Sequence, residues 1–450
     1  MSKVPPLFDH QKKDVAFELK HDAVFDTSDP GTGKTRTRLE AFSQRRAKGA
    51  GCLLVIAPKS LLRSAWERDC KTFTPWLKIS CAYAENREKA FNAPADIYVT
   101  NHDAVKWLAK QPPSFFKKFT DLVIDESSAY KHHTSDRSKA LNKIRKYFKK
   151  RTLMSGTPSS NSITDMWNQA FILDGGQRLG ESFYHFRATV QLPEQVGPRV
   201  NMVKWSDRPG ADEAVGSLLA DITIRHVLEE CHDMPENHNY VVPYELGPKA
   251  LKAYTKMEAD AIVKLSTGTI TAINAASVAT KMLQMASGAV YDEAGEYHLI
   301  DEARYELVAD LVDARKFCVV FFLWKHQRDQ LIKEFTARKI THTLIDGSVA
   351  AKKREEAVNY FQNGFYRVLL AHPASAAHGL TLTKGTSTIW ASPTYNLEHW
   401  LQGNRRIYRA GQKSKTETVN VIAEGTIEER VYHILSNKNT KQMDLLGVLR

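Results

Sequence analysis

The sequence predicts an α/β protein made of doubly wound parallel sheets, and three observations carry that reading. Continuous apolar runs of strand length recur along the chain and end in Pro, Asp or a small polar residue, the pattern of strands buried on both faces. Helix-length segments separate them, which is how a parallel sheet is wound. The alternation also occurs twice, once up to about Pro158 and again from about Phe317, so a chain of 450 residues divides into two halves rather than one core.

Taken in order, Leu7-Phe8-Asp9-His10-Gln11 opens a predicted helix running to about Lys20, on which Gln11 by itself reads as a surface residue of an amphipathic face. The first apolar run leads directly into Asp26-Thr27-Ser28-Asp29-Pro30-Gly31-Thr32-Gly33-Lys34-Thr35. This is a phosphate-binding loop in which Ser28 replaces the first glycine of the strict pattern. Gly31 and Gly33 let consecutive N–H groups turn toward a polyphosphate, Lys34 supplies a point charge and Thr35 a hydroxyl for Mg²⁺. A helical composition over Arg36–Arg46 would set the phosphates at a positive helix end.

Further strands are predicted at 52–57, 96–100, 121–125 and 152–155. Asp125 and Glu126 close the third of these, at the carboxyl end of a strand, where ligands of such sheets sit. A carboxylate pair in that place suits Asp125 as a Mg²⁺ ligand and Glu126 as the group that polarises the attacking water. From Gly175 to about Pro235 periodicity is poor; Phe183-Tyr184-His185-Phe186 reads as core rather than as a base-stacking platform, and Asp221–Glu236 reads as the end of a domain followed by a linker. A helix is predicted over Ile270–Met285.

In the second half, strands are predicted at 317–323, 343–346, 367–371, 388–391 and 418–422, with a charged helix at 352–361 and no second phosphate loop. One nucleotide site for two sheets suggests that the second half completes it. Arg406 and Arg409 are the candidates, at i and i+3 on a predicted helix and so on one face, with guanidinium forks suited to phosphoryl oxygens. On charge alone a solvated basic helix accounts for them better.

The balance of 63 Lys+Arg against 51 Asp+Glu gives +12 and suggests a polyanionic partner. The 5 cysteines are scattered without C-x-x-C spacing, which argues against a disulfide framework and a zinc site. No apolar run is long enough to cross a bilayer and no signal pattern opens the chain, so a cytoplasmic protein is expected, with no membrane partner.

Together these segments resemble superfamily 2 helicases, and within them the Swi/Snf-like DNA translocases, over nearly the whole chain. Gln11 is similar to the Q motif, SDPGTGKT to motif I, VIAPKSLLRSAWERD to motif Ia, VTNHDAV to motif Ib, LVIDESSAYKH to motif II and LMSGTPSSNSITDMW to motif III. In the second half IDGSVAAKKREEAVNYFQNG, VLLAHPASAAHGLTLTKG and QGNRRIYRAGQ are similar to the family's Asp-Gly-Ser, motif V and motif VI segments, and EGTIEERV to its C-terminal signature. The resemblance implies two RecA-like lobes, residues 1–235 and residues 236–450 with a C-terminal helix, holding ATP and Mg²⁺ in the cleft between them. It implies nucleotide contacts from Gln11, Asp29, Gly31, Thr32, Gly33, Lys34 and Thr35, metal contacts from Thr35 and Asp125, and catalytic roles for Lys34, Asp125, Glu126, Arg406 and Arg409. The strand-end polar residues Lys59, Ser60, Thr100, Asn101, His102 and Thr157 are expected on the DNA track.

Two positions depart from the family pattern: Ser128 stands where motif II usually has His, and Ala376-Ala377-His378-Gly379 where motif V tends to carry glycines. The lobes also lack the long insertions of chromatin remodellers, which makes the chain more similar to the branch-migration and fork-remodelling helicases of large phages of T5 type. The implied function is ATP-driven remodelling of branched or double-stranded DNA by a monomer, in the host cytoplasm if phage-encoded. Unwinding of RNA or single strands, and a nucleotide-gated DNA-binding switch that moves nothing, are the competing expectations.

Overall fold

The alternating runs fold into two parallel sheets in a computed structural model that describes residues 4–196, 202–266, 272–376 and 380–448. The chain divides into two compact units, residues 1–233 with 438–450, and residues 234–437.

In the first unit the strands are β1 (Ala23–Asp26), β2 (Cys52–Ala57), β3 (Ile79–Ala82), β4 (Ile97–Asn101), β5 (Phe119–Asp125), β6 (Lys150–Met154), β7 (Gln191–Gln195), β8 (Val203–Asp207) and β9 (Thr223–Ile224). Seven of them form one parallel sheet in the order β3-β4-β2-β5-β6-β1-β9. The other two, β7 and β8, pair antiparallel as a separate hairpin.

Both faces of the sheet are buried, so its strands read as unbroken apolar runs. Leu54, Ile56, Leu122 and Ile124 pack on one face, and Leu53, Val55, Ile97 and Val123 on the other. Leu445 and Leu446, near the end of the long helix Ile427–Val448, belong to the first of these cores.

A buried ionic cluster fixes the elements around the phosphate loop. Arg38, on the helix α2 (Lys34–Ala47), pairs with Asp14 and Glu18 of α1 (Asp9–Lys20) and lies 3.4 Å from Asp26 of β1. Glu18 also accepts from the Thr152 hydroxyl of β6 at 2.7 Å and lies 3.5 Å from the Lys150 ammonium. Buried charges of this kind persist only when mutually paired. The cluster therefore holds α1, α2, β1 and β6 in one arrangement, and the candidate site is built at their ends.

In the second unit β10 (Asn237–Tyr244), β13 (Cys318–Phe321), β14 (His342–Ile345), β15 (Val368–Ala371), β16 (Ser387–Trp390) and β17 (Thr416–Ala423) form a parallel sheet in the order β10-β17-β16-β13-β15-β14, beside a small hairpin of β11 (Ala289–Tyr291) and β12 (Tyr297–Leu299). Alternate residues of β13 again serve different cores: Cys318 and Val320 on one side, Val319 and Phe321 on the other. Arg304 is fully buried here, bonded to Glu428 at 2.7 Å and to the Ser392 hydroxyl at 2.8 Å. Of the motif V residues that depart from the family pattern, Ala376 is buried at the end of a short helical turn, while 377–379 lie outside the described residues.

Candidate active site

At the carboxyl end of β1 the backbone passes through Gly31 at φ 97° and Gly33 at φ 90° before α2 begins at Lys34. These are left-handed conformations that side chains disfavour. At Gly33 space forbids a side chain as well, since a Cβ there would lie 2.3 Å from the Gln11 amide nitrogen. α2 starts with no side-chain cap and no acidic residue in its first turn, so its positive end is uncompensated by the protein. The Lys34 ammonium folds into the loop, donating to the carbonyls of Ser28 at 2.6 Å and Asp29 at 3.0 Å. An uncapped helix end, inward-turning glycines and a lysine held on loop carbonyls together fit a polyphosphate.

Gln11 is buried, not a surface residue: its Oε1 accepts from the Phe8 N–H at 3.1 Å and its Nε2 donates to the Thr32 carbonyl at 3.4 Å. His10 adds a second contact to the same carbonyl at 2.8 Å. The Q-motif helix is therefore tied to the phosphate loop directly.

Asp125 ends β5 with its carboxylate buried, and the next residue, Glu126, is one of two described non-glycine residues at positive φ, 55°. A strained backbone beside a carboxylate pair is a feature of sites where the geometry is over-determined by its surroundings. Burial, and then the Glu126 charge, pushes the Asp125 carboxyl up to about 7, against the opposing effects of the Trp66 N–H and Lys34. A divalent cation would relieve that destabilised carboxylate, which is the fit expected of a Mg²⁺ ligand. No group of three or more His, Cys, Asp or Glu residues suited to a metal occurs among the described residues.

Three supports of this site have no obvious mark in the sequence. Trp66 is fully buried in a π-helical stretch, Leu62–Glu67, and its indole N–H donates to Asp125 Oδ2 at 3.0 Å. Ser127, beside the carboxylate pair, donates to Gln169 at 2.7 Å, and the Gln169 amide donates in turn to the Pro158 carbonyl at 2.8 Å, so motifs II and III are joined through Gln169. Ser128, in the position of the family's His, is buried beside it.

The third support lies in the first part of Asp221–Glu236, the segment read as the end of a domain followed by a linker, and shows that this domain end is built into the sheet. β9 pairs with β1, Phe25 opposite Thr223, and Arg225 then donates to the Thr27 carbonyl at 2.6 Å and meets Asp29 at 3.2 Å. The Leu228 N–H donates to the other oxygen of Asp29 at 3.2 Å, and the Asp29 N–H to the His226 carbonyl at 2.9 Å. Residues 223–228 thus clamp the phosphate loop.

The strand-end residues divide. Lys59 and Ser60 are exposed after β2, and Asn101 is half-buried with its side-chain carbonyl accepting from Arg87 at 3.4 Å. Thr100 is fully buried with its hydroxyl on the Ala82 carbonyl at 2.8 Å, His102 meets the Tyr130 hydroxyl at 3.1 Å, and Thr157 is 2% exposed.

In the second unit Arg406 and Arg409 do not share a helix, contrary to the sequence expectation. The helix Leu397–Asn404 ends before them, at Gly403 and Asn404, which are poor helix formers, and the chain goes on through turns. They converge all the same: both guanidinium groups donate to the Leu380 carbonyl, Arg406 at 3.3 Å and Arg409 at 2.8 Å.

Residues 10–287 match the SNF2-related domain and residues 303–411 the helicase conserved C-terminal domain. The chain belongs to the SNF2-related family. As a member it is an ATP-using enzyme of the helicase kind, with the two-sheet α/β fold described above. It is 28% identical to putative protein p41 of Acyrthosiphon pisum secondary endosymbiont phage 1, over 93% of each chain. It is 23% identical to the putative ATP-dependent helicase/translocase YwqA of Bacillus subtilis, over 92% of this chain and 45% of that protein. With the Caenorhabditis elegans homolog of SWI/SNF-related matrix-associated actin-dependent regulator of chromatin subfamily A-like protein 1 it shares 24% identity, over 99% of this chain and 62% of that one. The chain thus spans nearly all of the phage protein but less than two thirds of the other two. A Sulfolobus solfataricus SWI2/SNF2 ATPase core, solved in complex with dsDNA, is similar at a TM-score of 0.46 and 20% identity, over 99% of this chain and 94% of that one. Among the described residues no helix is long and apolar enough to cross a membrane.

Proposed function

We propose that this protein is an ATP-driven translocase on double-stranded DNA that remodels branched DNA, moving junctions and regressing forks. The observation that carries the hydrolytic part is the joining of the Gly31–Lys34 loop, the Asp125–Glu126 pair and the Arg225 clamp at one end of a parallel sheet. In this reading Lys34 and the loop N–H groups hold the β- and γ-phosphates, Glu126 orients the attacking water, and Gln11 lies at the adenine end. Arg406 and Arg409 neutralise charge on the phosphoryl oxygens. Thr35 and Asp125 would hold Mg²⁺, which supplies further neutralisation of that charge.

The DNA part is supported by the net charge of +12 and by exposed Lys59 and Ser60 beyond β2, with Asn101 at the end of the neighbouring strand. Contacts of this type go to the backbone and carry no sequence preference. The branched substrate is favoured by energetics: moving a branch point exchanges old base pairs for new ones at near balance, whereas plain unwinding costs about 1.4 kcal/mol per base-pair step in lost stacking.

The test is the ATPase rate with single-stranded DNA, linear duplex, a four-way junction and RNA side by side, together with ATP-dependent conversion of the junction to its arms. Stimulation by duplex and junction with junction conversion is expected. Stimulation by RNA or single strands alone would point to an unwinding helicase of that class, and ATP-dependent DNA binding with no movement to a switch.

A further inference from the structure

The segment between the Asp165–Asp174 helix and β9 carries a surface that the hydrolytic site does not use. The motif Phe183-Tyr184-His185-Phe186 splits by face: Phe186 enters the core, Phe183 is half-buried against it, and Tyr184 is 65% exposed. Next to it the β7–β8 hairpin stands with Leu192, Val196 and Met202 exposed. Its root is fixed, because Gln191 is buried and donates to Ser162 at 2.9 Å and to Asp207 at 2.8 Å. Aromatic groups from three parts of the unit meet there. His133 stacks on Phe183 at 3.9 Å between centroids, Tyr184 meets Phe183 edge-on at 5.7 Å, and the Arg187 guanidinium lies 4.0 Å over the half-buried Trp205 ring of β8 and 5.5 Å from Tyr184.

The charged groups acting on His133 are Arg187, His132 and Lys139, all basic. The Arg187 Nε has no hydrogen-bond partner among the described residues. Exposed aromatic faces interleaved with unneutralised basic groups are the composition that holds unpaired nucleic acid, bases stacking on rings and guanidinium planes while the backbone meets the charges. An apolar protein partner would not need the basic surround, and a duplex would not present base faces to the rings.

We propose that Tyr184, Arg187 and Trp205 form a binding site for unpaired DNA bases, such as those exposed where a fork or junction opens. The site lies outside the nucleotide loop and takes its ligand by stacking and charge, without sequence preference. It rests on the DNA reading above, and names the part of a branched substrate that this unit holds.

The test is binding of the full-length protein, without nucleotide, to a blunt duplex and to the same duplex carrying an unpaired arm, with 2-aminopurine in the arm to report stacking. The unpaired arm should tighten binding, and Tyr184→Ala should remove about tenfold of that gain. Blunt-duplex affinity should stay as in the unmodified protein, and Tyr184→Phe should behave like it. Arg187→Lys, which keeps the charge and loses the plane, should quench the 2-aminopurine less. Equal loss on both DNAs with Tyr184→Ala, or no loss on either, would overturn the proposal while leaving the DNA reading in place. A protein that binds neither DNA would overturn both.

Discussion

Arg225 offers the sharpest test of how the nucleotide loop is held. Its side chain is 2% exposed and that of Asp29 is 10% exposed, and the pair is completed by the Thr27 carbonyl on one side and the Leu228 N–H on the other. Removing one member of a buried pair leaves the other desolvated without that partner, a loss of about 3–5 kcal/mol. Arg225→Ala should therefore lower the urea stability of the chain by about 3 kcal/mol. Because the lost contacts lie within the loop itself, the phosphate-binding conformation should also become a minority state, and the apparent affinity for ATP should fall in proportion. Arg225→Lys keeps the charge but cannot reach both acceptors with one ammonium, so a smaller loss of about 1 kcal/mol is expected. The double variant Arg225→Ala with Asp29→Ala should recover part of the stability, because the stranded charge leaves with its partner. Unfolding followed by tryptophan fluorescence, paired with titration of a fluorescent ATP analogue, reads both quantities. A change under about 1 kcal/mol with unaltered nucleotide affinity in Arg225→Ala would refute the clamp.

Lys34→Ala and Glu126→Gln should each abolish ATP hydrolysis while leaving the urea midpoint and nucleotide-free DNA binding close to normal; substantial DNA-stimulated turnover in Glu126→Gln would remove Glu126 from its role. Arg409→Ala should slow turnover by about 10³- to 10⁵-fold with a much smaller effect on ATP binding, whereas normal maximal turnover with a loss confined to DNA affinity would make it a backbone contact. DNA affinity should fall steeply with salt, about −0.9 in the log–log slope for each phosphate neutralised, and a flat response in a filter-binding series would contradict the electrostatic footprint. His326, bonded to Ser287 at 2.8 Å and Tyr291 at 2.9 Å, is held neutral by burial, its pKa lowered to about 3. Below about pH 6.5 the unfolded chain takes up a proton there that the native one does not, so stability falls on acidification toward pH 3. At pH 5 this amounts to about 2 kcal/mol, and His326→Gln should flatten the urea-stability profile between pH 7 and 5 by that amount.

Those features that are local in sequence were legible in it. β1, the phosphate loop and α2 are contiguous, and the Asp125–Glu126 pair is announced by the apolar run it closes. The sheets were legible for the same reason, because strands buried on both faces leave unbroken apolar runs. What escaped depends on distant pairing. β9 is two residues long and gains its meaning only opposite Phe25, far upstream. Trp66 reads as a core residue until β5 brings Asp125 to its N–H. Arg406 and Arg409 have a helical spacing, but spacing does not report whether the backbone is still helical, and Gly403 is there because a Cβ would lie 2.8 Å from Trp390. In Phe183–Phe186 a single segment serves two purposes, so one assignment for all four side chains could not hold.

The excursion that holds the exposed aromatic surface begins and ends on the nucleotide loop. At its start the Ser155 N–H, just past β6, donates to the Asp26 carbonyl at 3.0 Å; at its end Arg225 binds Thr27 and Asp29. Within it, Gln169 sits on the same helix as Trp167, whose ring packs edge-on against Phe183, and it is Gln169 that holds Ser127 beside the carboxylate pair. A strand bound at Tyr184 and a phosphate bound at Lys34 would thus act on one connected set of residues, 26–29 and 125–127. Linkage then requires reciprocity: if an unpaired DNA arm changes the equilibrium affinity for ATP, ATP changes the affinity for that arm by the same factor. The direct contacts between the two sites pass through Gln169 at one end of the excursion and Arg225 at the other, so Gln169→Ala and Arg225→Ala are the variants in which that shared factor should shrink.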